Sequence, residues 1–206
     1  MTSLLDIAPV VPVVVLNDET QAVPLARALA DGGLPIIELT LRTPCALEAI
    51  RRIAAEVPEI LVGAGTVLDA RHADAAAAAG AQFLVSPGST PAVLDAMDAT
   101  GLPYLPGTST VTEMMAVAER GRTEMKFFPA EAAGGTPYLA SLTSPLPHLR
   151  FCPTGGITAA TAARYLELPN VGCVGGSWVT PANALAEDDW TRITKLAAEA
   201  ATTAAP

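Results

Sequence analysis

The sequence predicts an α/β protein, a single compact (β/α)8 TIM-barrel domain over residues 1–206 with a short N-terminal segment. Three observations predict it. Short apolar runs alternate with alanine-rich helical stretches, the units recur about every 25 residues, and eight of them fit in one short chain. Eight units in this length favour a closed parallel barrel. An open doubly wound sheet is the alternative, but it usually carries fewer strands.

The elements follow in order. The first strand run is Val11–Val15, followed by a helix over Gln21–Asp31 that Gly32-Gly33 stops. Ile36–Leu41 and Cys45–Glu56 form the second unit. Leu61–Gly65 and Asp69–Ala79 form the third, ended by Gly80, and Phe83–Ser86 with Pro91–Ala99 form the fourth, ended by Gly101. Tyr104–Gly107 precedes a helix over Val111–Arg120, which Thr110 and Glu113 open as a capping box. Met125–Phe128 with Tyr138–Leu142, and Arg150–Pro153 with a Thr158-capped helix over Ala159–Leu166, are the sixth and seventh units. Gly172–Gly175 and a last helix over Asp188–Thr202 complete the series, and Ala204–Pro206 is expected to fray. No linker, low-complexity segment or second domain interrupts the pattern.

Composition removes several classes of function. Half of the residues are hydrophobic, which suits a sizeable core and excludes a disordered chain. The longest apolar stretch, Ile7–Leu16, is broken by Pro9 and Pro12 and is far below the roughly 20 residues a membrane span needs. The start lacks a basic n-region, so no secretory signal is expected. Cys45, Cys152 and Cys173 form no CxxC pair and cannot all pair internally, which points to a reducing cytoplasm. The formal charge of −9 argues against a nucleic-acid binder, since phosphate backbones demand a basic face. His72 and His148 are the only histidines; both read as surface residues, and neither has a neighbouring partner for a multi-histidine metal site.

Barrel active sites lie at the C-terminal ends of the strands, so polar residues that break an apolar strand there are the candidates. The second strand ends Glu38-Leu39-Thr40-Leu41-Arg42, and alternation puts Glu38, Thr40 and Arg42 on one face, pointing inward. A catalytic acid and an internal Glu38–Arg42 ion pair that merely stabilises the barrel are both open at this point. The sixth strand embeds Lys126, one of only two lysines, between Met125 and Phe127, with Phe128 on the lysine's own face. Burial disfavours an ammonium, and a neutral amine can attack a ketone to form an imine. The competing reading is a structural lysine paired with Glu38 or Glu124. Lys195, in the polar last helix, reads as a surface residue.

Two glycine pairs, Gly155-Gly156 after the seventh strand and Gly175-Gly176 in the eighth, sit where barrels cradle phosphate on bare backbone N–H groups. Such a cradle binds an anion with no cationic cluster, although tight turns use glycine pairs too. Gly63-Ala64-Gly65 begins like a dinucleotide fingerprint, but Leu68 stands where the third glycine belongs and the motif follows the third strand, so that reading fails. Thr66 would instead offer its hydroxyl and N–H to a carboxylate.

With these residues in place the chain resembles the bacterial 2-keto-3-deoxy-6-phosphogluconate (KDPG) and 4-hydroxy-2-oxoglutarate (KHG) aldolases. Glu38-Leu39-Thr40-Leu41-Arg42-Thr43, Gly63-Ala64-Gly65-Thr66, Ser86-Pro87-Gly88, Lys126-Phe127-Phe128-Pro129-Ala130-Glu131, Pro153-Thr154-Gly155-Gly156-Ile157 and Gly175-Gly176-Ser177-Trp178 carry the resemblance, in order, over nearly the whole chain. It implies that Lys126 forms a Schiff base and Glu38 moves protons. Arg42 and Thr66 would hold a pyruvate carboxylate, with Pro87 and Phe128 lining that pocket. Thr154, Gly155, Gly156, Gly176 and Ser177 would serve the phosphate. The resemblance further implies a keto-acid substrate, no cofactor and no metal, a homotrimer, and no nucleic-acid or membrane partner. Asn17-Asp18 departs from the basic residues that relatives often carry after the first strand, which makes the phosphate end less cationic. Two rivals remain: a metal-dependent aldolase or isomerase on the same loops, and a sugar-phosphate sensor that binds without a covalent adduct.

Overall fold

The computed structural model describes residues 3–203, so the expected fraying of Ala204–Pro206 lies outside the described residues. Nine short parallel strands alternate with helices: β1 (Val10–Val14), β2 (Ile36–Thr40), β3 (Leu61–Gly65), β4 (Phe83–Val85), β5 (Tyr104–Leu105), β6 (Gly107–Thr108), β7 (Glu124–Phe127), β8 (Arg150–Pro153) and β9 (Val174–Gly176). The helices are α1 (Ala22–Asp31), α2 (Ala46–Glu56), α3 (Ala70–Ala78), α4 (Pro91–Thr100), α5 (Val111–Ala118), α6 (Gly135–Leu142), α7 (Ala159–Leu166), α8 (Ala182–Ala186) and α9 (Trp190–Ala201). Short 3-10 turns at Leu4–Asp6 and Glu19–Gln21 complete the described residues.

Six strands pair in the order β5-β4-β3-β2-β1-β9, a curled half-barrel, and β6-β7-β8 form a second sheet. Isolated parallel bridges, Phe151 with Val171 and Thr154 with Gly175, link β8 to the chain around β9. The fifth strand run differs from expectation, because Pro106 splits it. Proline has no N–H to give a ladder. Tyr104 and Leu105 therefore pair with β4, Gly107 and Thr108 with β7, and the Pro106 carbonyl accepts the Lys126 amide at 2.9 Å. Helix α6 begins earlier than the sequence pattern suggests, since Pro137 sits in its first turn, where a missing N–H costs nothing. The short α8 was not expected.

The capping box of α5 is present. Glu113 accepts the Thr110 amide at 2.9 Å, and Thr110 Oγ1 accepts the Glu113 amide at 3.3 Å. At α7 the Thr158 amide donates to Thr161 Oγ1 at 3.0 Å. Each helix turns an apolar stripe to the sheets. Leu25 and Leu29 of α1 and Ile50 and Ile53 of α2 join one buried cluster that runs from Leu4 to Ala200. Phe127, fully buried on the outward face of β7, stacks on Tyr138 of α6 with centroids 5.5 Å apart. That contact fixes β7 against its helix, and so fixes the direction of its inward neighbour Lys126. Among the described residues no helix is long and apolar enough to cross a membrane.

Candidate active site

Alternation along two strands builds the centre of the site. On β2, Glu38 and Thr40 are buried with the rest of the strand. Thr40 donates to the Val14 carbonyl at 3.0 Å, which leaves Glu38 as the free acid of that face. On β7, Lys126 points into the same interior. Its Nζ donates to Glu38 Oε1 at 3.1 Å and to Oε2 at 3.4 Å. Both residues are almost fully enclosed, Lys126 at 5% exposure and Glu38 at 3%. Such a pair holds together because each charge would be costly alone in a dry interior. The internal pair therefore joins Glu38 to Lys126, not to Arg42.

Phe128 lies on the lysine's side of the strand end, as alternation requires. The Lys126 ammonium sits 5.4 Å from its ring centroid, within cation–π range. Arg42, just past β2, is exposed and makes no ion pair with a described carboxylate. Arg42 and Phe128 line a cavity of about 270 Å³ together with Thr154, Gly155, Gly156, Gly176 and Ser177. Val13, Val15, Ile157 and Gly175 complete it. All five residues expected at the phosphate end thus face one space with Arg42 and Phe128. Gly155 and Gly156 adopt φ of 105° and 81°, a left-handed path that L side chains rarely follow.

Thr66 and Pro87 do not line that cavity. Pro87 borders a separate one of about 160 Å³ with Val67, Leu68, Gly88, Thr90 and Val93. Backbone contacts tie both residues to the ion pair. Gly65, just before Thr66, packs so closely on Glu38 that a Cβ there would overlap the carboxylate. Gly107, the ladder partner of Lys126, lies against the Pro87 carbonyl and leaves no room for a side chain. Thr66 has φ of 62°, an uncommon conformation for a β-branched residue that points to a site rather than to packing.

Two neighbours escaped the sequence reading. Cys152 is the ladder partner of Lys126 on β8 and is buried beside it. Contact with the Cys152 thiol and complete burial push the nearby Cys173 thiol well above the ordinary range, so that sulfur is inert. The register of β7 with β8 was the signal, and a sequence does not print register. The second neighbour is Glu131, whose amide donates to the Gly155 carbonyl at 3.1 Å while the Ala130 amide donates to Thr154 at 2.8 Å. His72 is half-buried beside Asp69 at the start of α3, and His148 is exposed. Among the described residues no three His, Cys, Asp or Glu side chains gather where they could hold a metal ion.

The arrangement sets a buried amine against a carboxylate; neither lines the open space, but Phe128, 5.4 Å from the amine, does. That space has a guanidinium, an aromatic face and a cradle of bare amides on its walls. The chain is similar to known proteins in sequence and fold. The family model "KDPG and KHG aldolase" matches residues 1–196. The KHG/KDPG aldolase of Escherichia coli K12 is 52% identical over 198 residues, covering 96% of this chain and 93% of that protein. The KDPG aldolase of Legionella pneumophila, solved with pyruvate captured as a covalent carbinolamine, superposes with a TM-score of 0.94 at 42% identity and 96% coverage of both chains. That of Zymomonas mobilis ZM4, solved with 3-phosphoglycerate, gives 0.92 at 48% identity, covering 97% of this chain and 94% of that one. On fold, site geometry and these matches together, the chain belongs to the KDPG and KHG aldolase family.

Proposed function

We propose that the protein is a class I, metal-independent aldolase. It cleaves 2-dehydro-3-deoxy-6-phosphogluconate to pyruvate and D-glyceraldehyde 3-phosphate, and 4-hydroxy-2-oxoglutarate to pyruvate and glyoxylate. The observation that carries the proposal is the enclosed Lys126–Glu38 pair, 3.1 Å apart, joined through the Phe128 ring to a cavity that Arg42 and the glycine loops line. A sensor has no need of a buried amine paired in this way.

The steps follow from the pair. Arg42 and Thr66 take the substrate carboxylate, while Pro87 and Phe128 bound the keto-acid pocket. Thr154, Gly155, Gly156, Gly176 and Ser177 take the phosphate. Lys126 passes a proton to Glu38, and the freed amine attacks C2. Glu38 returns the proton as the carbinolamine loses water, leaving an iminium. Glu38 then accepts the C4 hydroxyl proton, the C3–C4 bond breaks, and its electrons flow into the iminium to give an enamine and the aldehyde. Protonation of C3 by Glu38 and attack of water on the resulting iminium release pyruvate.

The wider reading is one aldolase domain over residues 1–206, with the two sheets closing into an eight-stranded (β/α)8 barrel across the β8–β9 bridges and Pro106. It is a cytoplasmic homotrimer that needs no cofactor. Light scattering should return three times the chain mass, and a chelator should leave the rate unchanged. The deciding experiment is borohydride reduction in the presence of pyruvate, followed by peptide mapping. A reduced pyruvyl adduct on Lys126 alone is expected. No adduct, or one on Lys195, would sink the mechanism.

A further inference from the structure

Besides Phe128, which packs on Gly155, one further side chain packs on the loop that cradles the phosphate in this reading. Glu131 lies just past β7, three residues beyond Phe128. Its amide bonds Gly155, and its Cβ and Cγ lie so close to Gly156 that a Cβ there would stand 2.9 Å from each. Its carboxylate accepts the Tyr165 hydroxyl at 2.6 Å. Tyr165 is fully buried in α7, the helix that the glycine loop runs into. Glu131 therefore holds the loop by backbone and stem where it leaves β8, and reaches through Tyr165 to the last turn of α7, the helix into which the loop runs. Burial and this carboxylate hold the Tyr165 phenol above its ordinary range, so the hydroxyl keeps its proton and remains a donor.

We infer that Glu131 is a positioning residue for the phosphate loop, and that the Tyr165 hydroxyl ties its carboxylate to α7 so that its charge does not oppose the incoming phosphate. The inference rests on the phosphate reading of Gly155-Gly156. It concerns binding of one group only, so it predicts an effect on phosphorylated substrate that chemistry at Lys126 does not share. Glu131 is an exposed residue, so solvent weakens the repulsion between its carboxylate and a phosphate, and the packing of its stem on Gly156 is the larger effect. The stem and the tether therefore make separable contributions.

The test compares kcat and KM for 2-dehydro-3-deoxy-6-phosphogluconate and for 4-hydroxy-2-oxoglutarate, which has no phosphate, in Glu131→Ala, Glu131→Gln and Tyr165→Phe. Glu131→Ala should raise KM for the phosphorylated substrate about tenfold, a loss of about 1.4 kcal/mol, with kcat and the other KM within about twofold. Glu131→Gln keeps the stem and an acceptor for Tyr165 and should stay within about twofold of wild type on both substrates. Tyr165→Phe frees the carboxylate and should raise only the phosphorylated KM. Equal losses on both substrates, or a Glu131→Gln variant as poor as Glu131→Ala, would overturn the inference and leave Glu131 a folding contact. Ser177→Ala is the control on the reading beneath it. If Ser177→Ala shifts the ratio of the two KM values and Glu131→Ala does not, the loop binds phosphate without help from Glu131. If neither shifts it, the phosphate reading fails and takes the inference with it.

Discussion

At the scale of single residues the site turns on one pair. Removing one partner of a buried ion pair costs roughly 3–5 kcal/mol because the other charge is stranded. Glu38→Gln should therefore lower both stability and rate, the rate by roughly 10² to 10⁴ if Glu38 is the general acid–base. Single-turnover kinetics and chemical denaturation measure the two separately, and an unchanged rate would remove Glu38 from the mechanism. Lys126→Ala should abolish turnover; activity within about tenfold of wild type would contradict its role. Thr66→Gly should shift the melting temperature little, because relief of the left-handed backbone offsets the added chain entropy. Its lost hydroxyl should raise KM for both keto acids by about tenfold, the worth of one hydrogen bond to a charged group. The inward placement of Lys126 and Glu38 was legible in the sequence because a strand alternates strictly and a lysine in an apolar strand is an anomaly. That Pro87 borders a separate space and that Thr66 stays out of the main cavity was not legible, since strand-end loops are placed by contacts such as Gly107 on Pro87. Nor was Glu131, whose bond to Tyr165 spans 34 positions.

Elements position those residues, and they can be weakened one at a time. Phe127→Ala removes a fully buried ring and its stacking on Tyr138, and should cost about 3–5 kcal/mol by denaturant melts. Because β7 would lose its register against α6, the rate should fall as well, although Phe127 touches no substrate. By contrast, Thr110→Ala breaks the capping box of α5 and should cost only about 1 kcal/mol, with no effect on the rate. The helices other than α8 were readable in order because the caps and glycine stops are local, while α8 is five residues long and carries no side-chain cap. Pro106 was a readable warning as well: a proline inside a strand run should have predicted the split into β5 and β6. The pairing of β8 with β7 and β9 depends on contacts far apart in sequence, and no local pattern encodes it.

For the whole molecule, the N-terminal ends of the strands, opposite the candidate site, carry their own network. Tyr104 donates to Asp98 at 2.8 Å, and Arg122 lies 4.3 Å over the Tyr104 ring while pairing with Asp98 at 2.6 Å. Burial and the Asp98 carboxylate push the Tyr104 phenol up to about 12. A raised phenol gives stability that is complete below its unfolded value, near 10, and is lost as pH rises through the folded one. Thermal melts at increasing alkaline pH should fall between about pH 10 and 12, and Tyr104→Phe should flatten that limb. An equal slope in the variant would assign the loss to other groups. At the acid end, burial pushes Asp98 up, but hydrogen bonds from Tyr104 and Arg122 outweigh it and hold the carboxyl below its ordinary value. That contribution is present above about pH 4 and fades as pH falls below it.

The ion pair of Lys126 and Glu38 has a calorimetric consequence. An ammonium and a ketone carry the same hydrogens and charge as an iminium and a water, and Glu38 begins and ends the exchange as a carboxylate. Under the proposed mechanism, capture of pyruvate neither draws a proton from the medium nor gives one back. Its heat should therefore be the same in phosphate and in Tris, although the two buffers ionise with very different enthalpies. A heat that tracked the buffer would mean that the pair does not hold its proton alone.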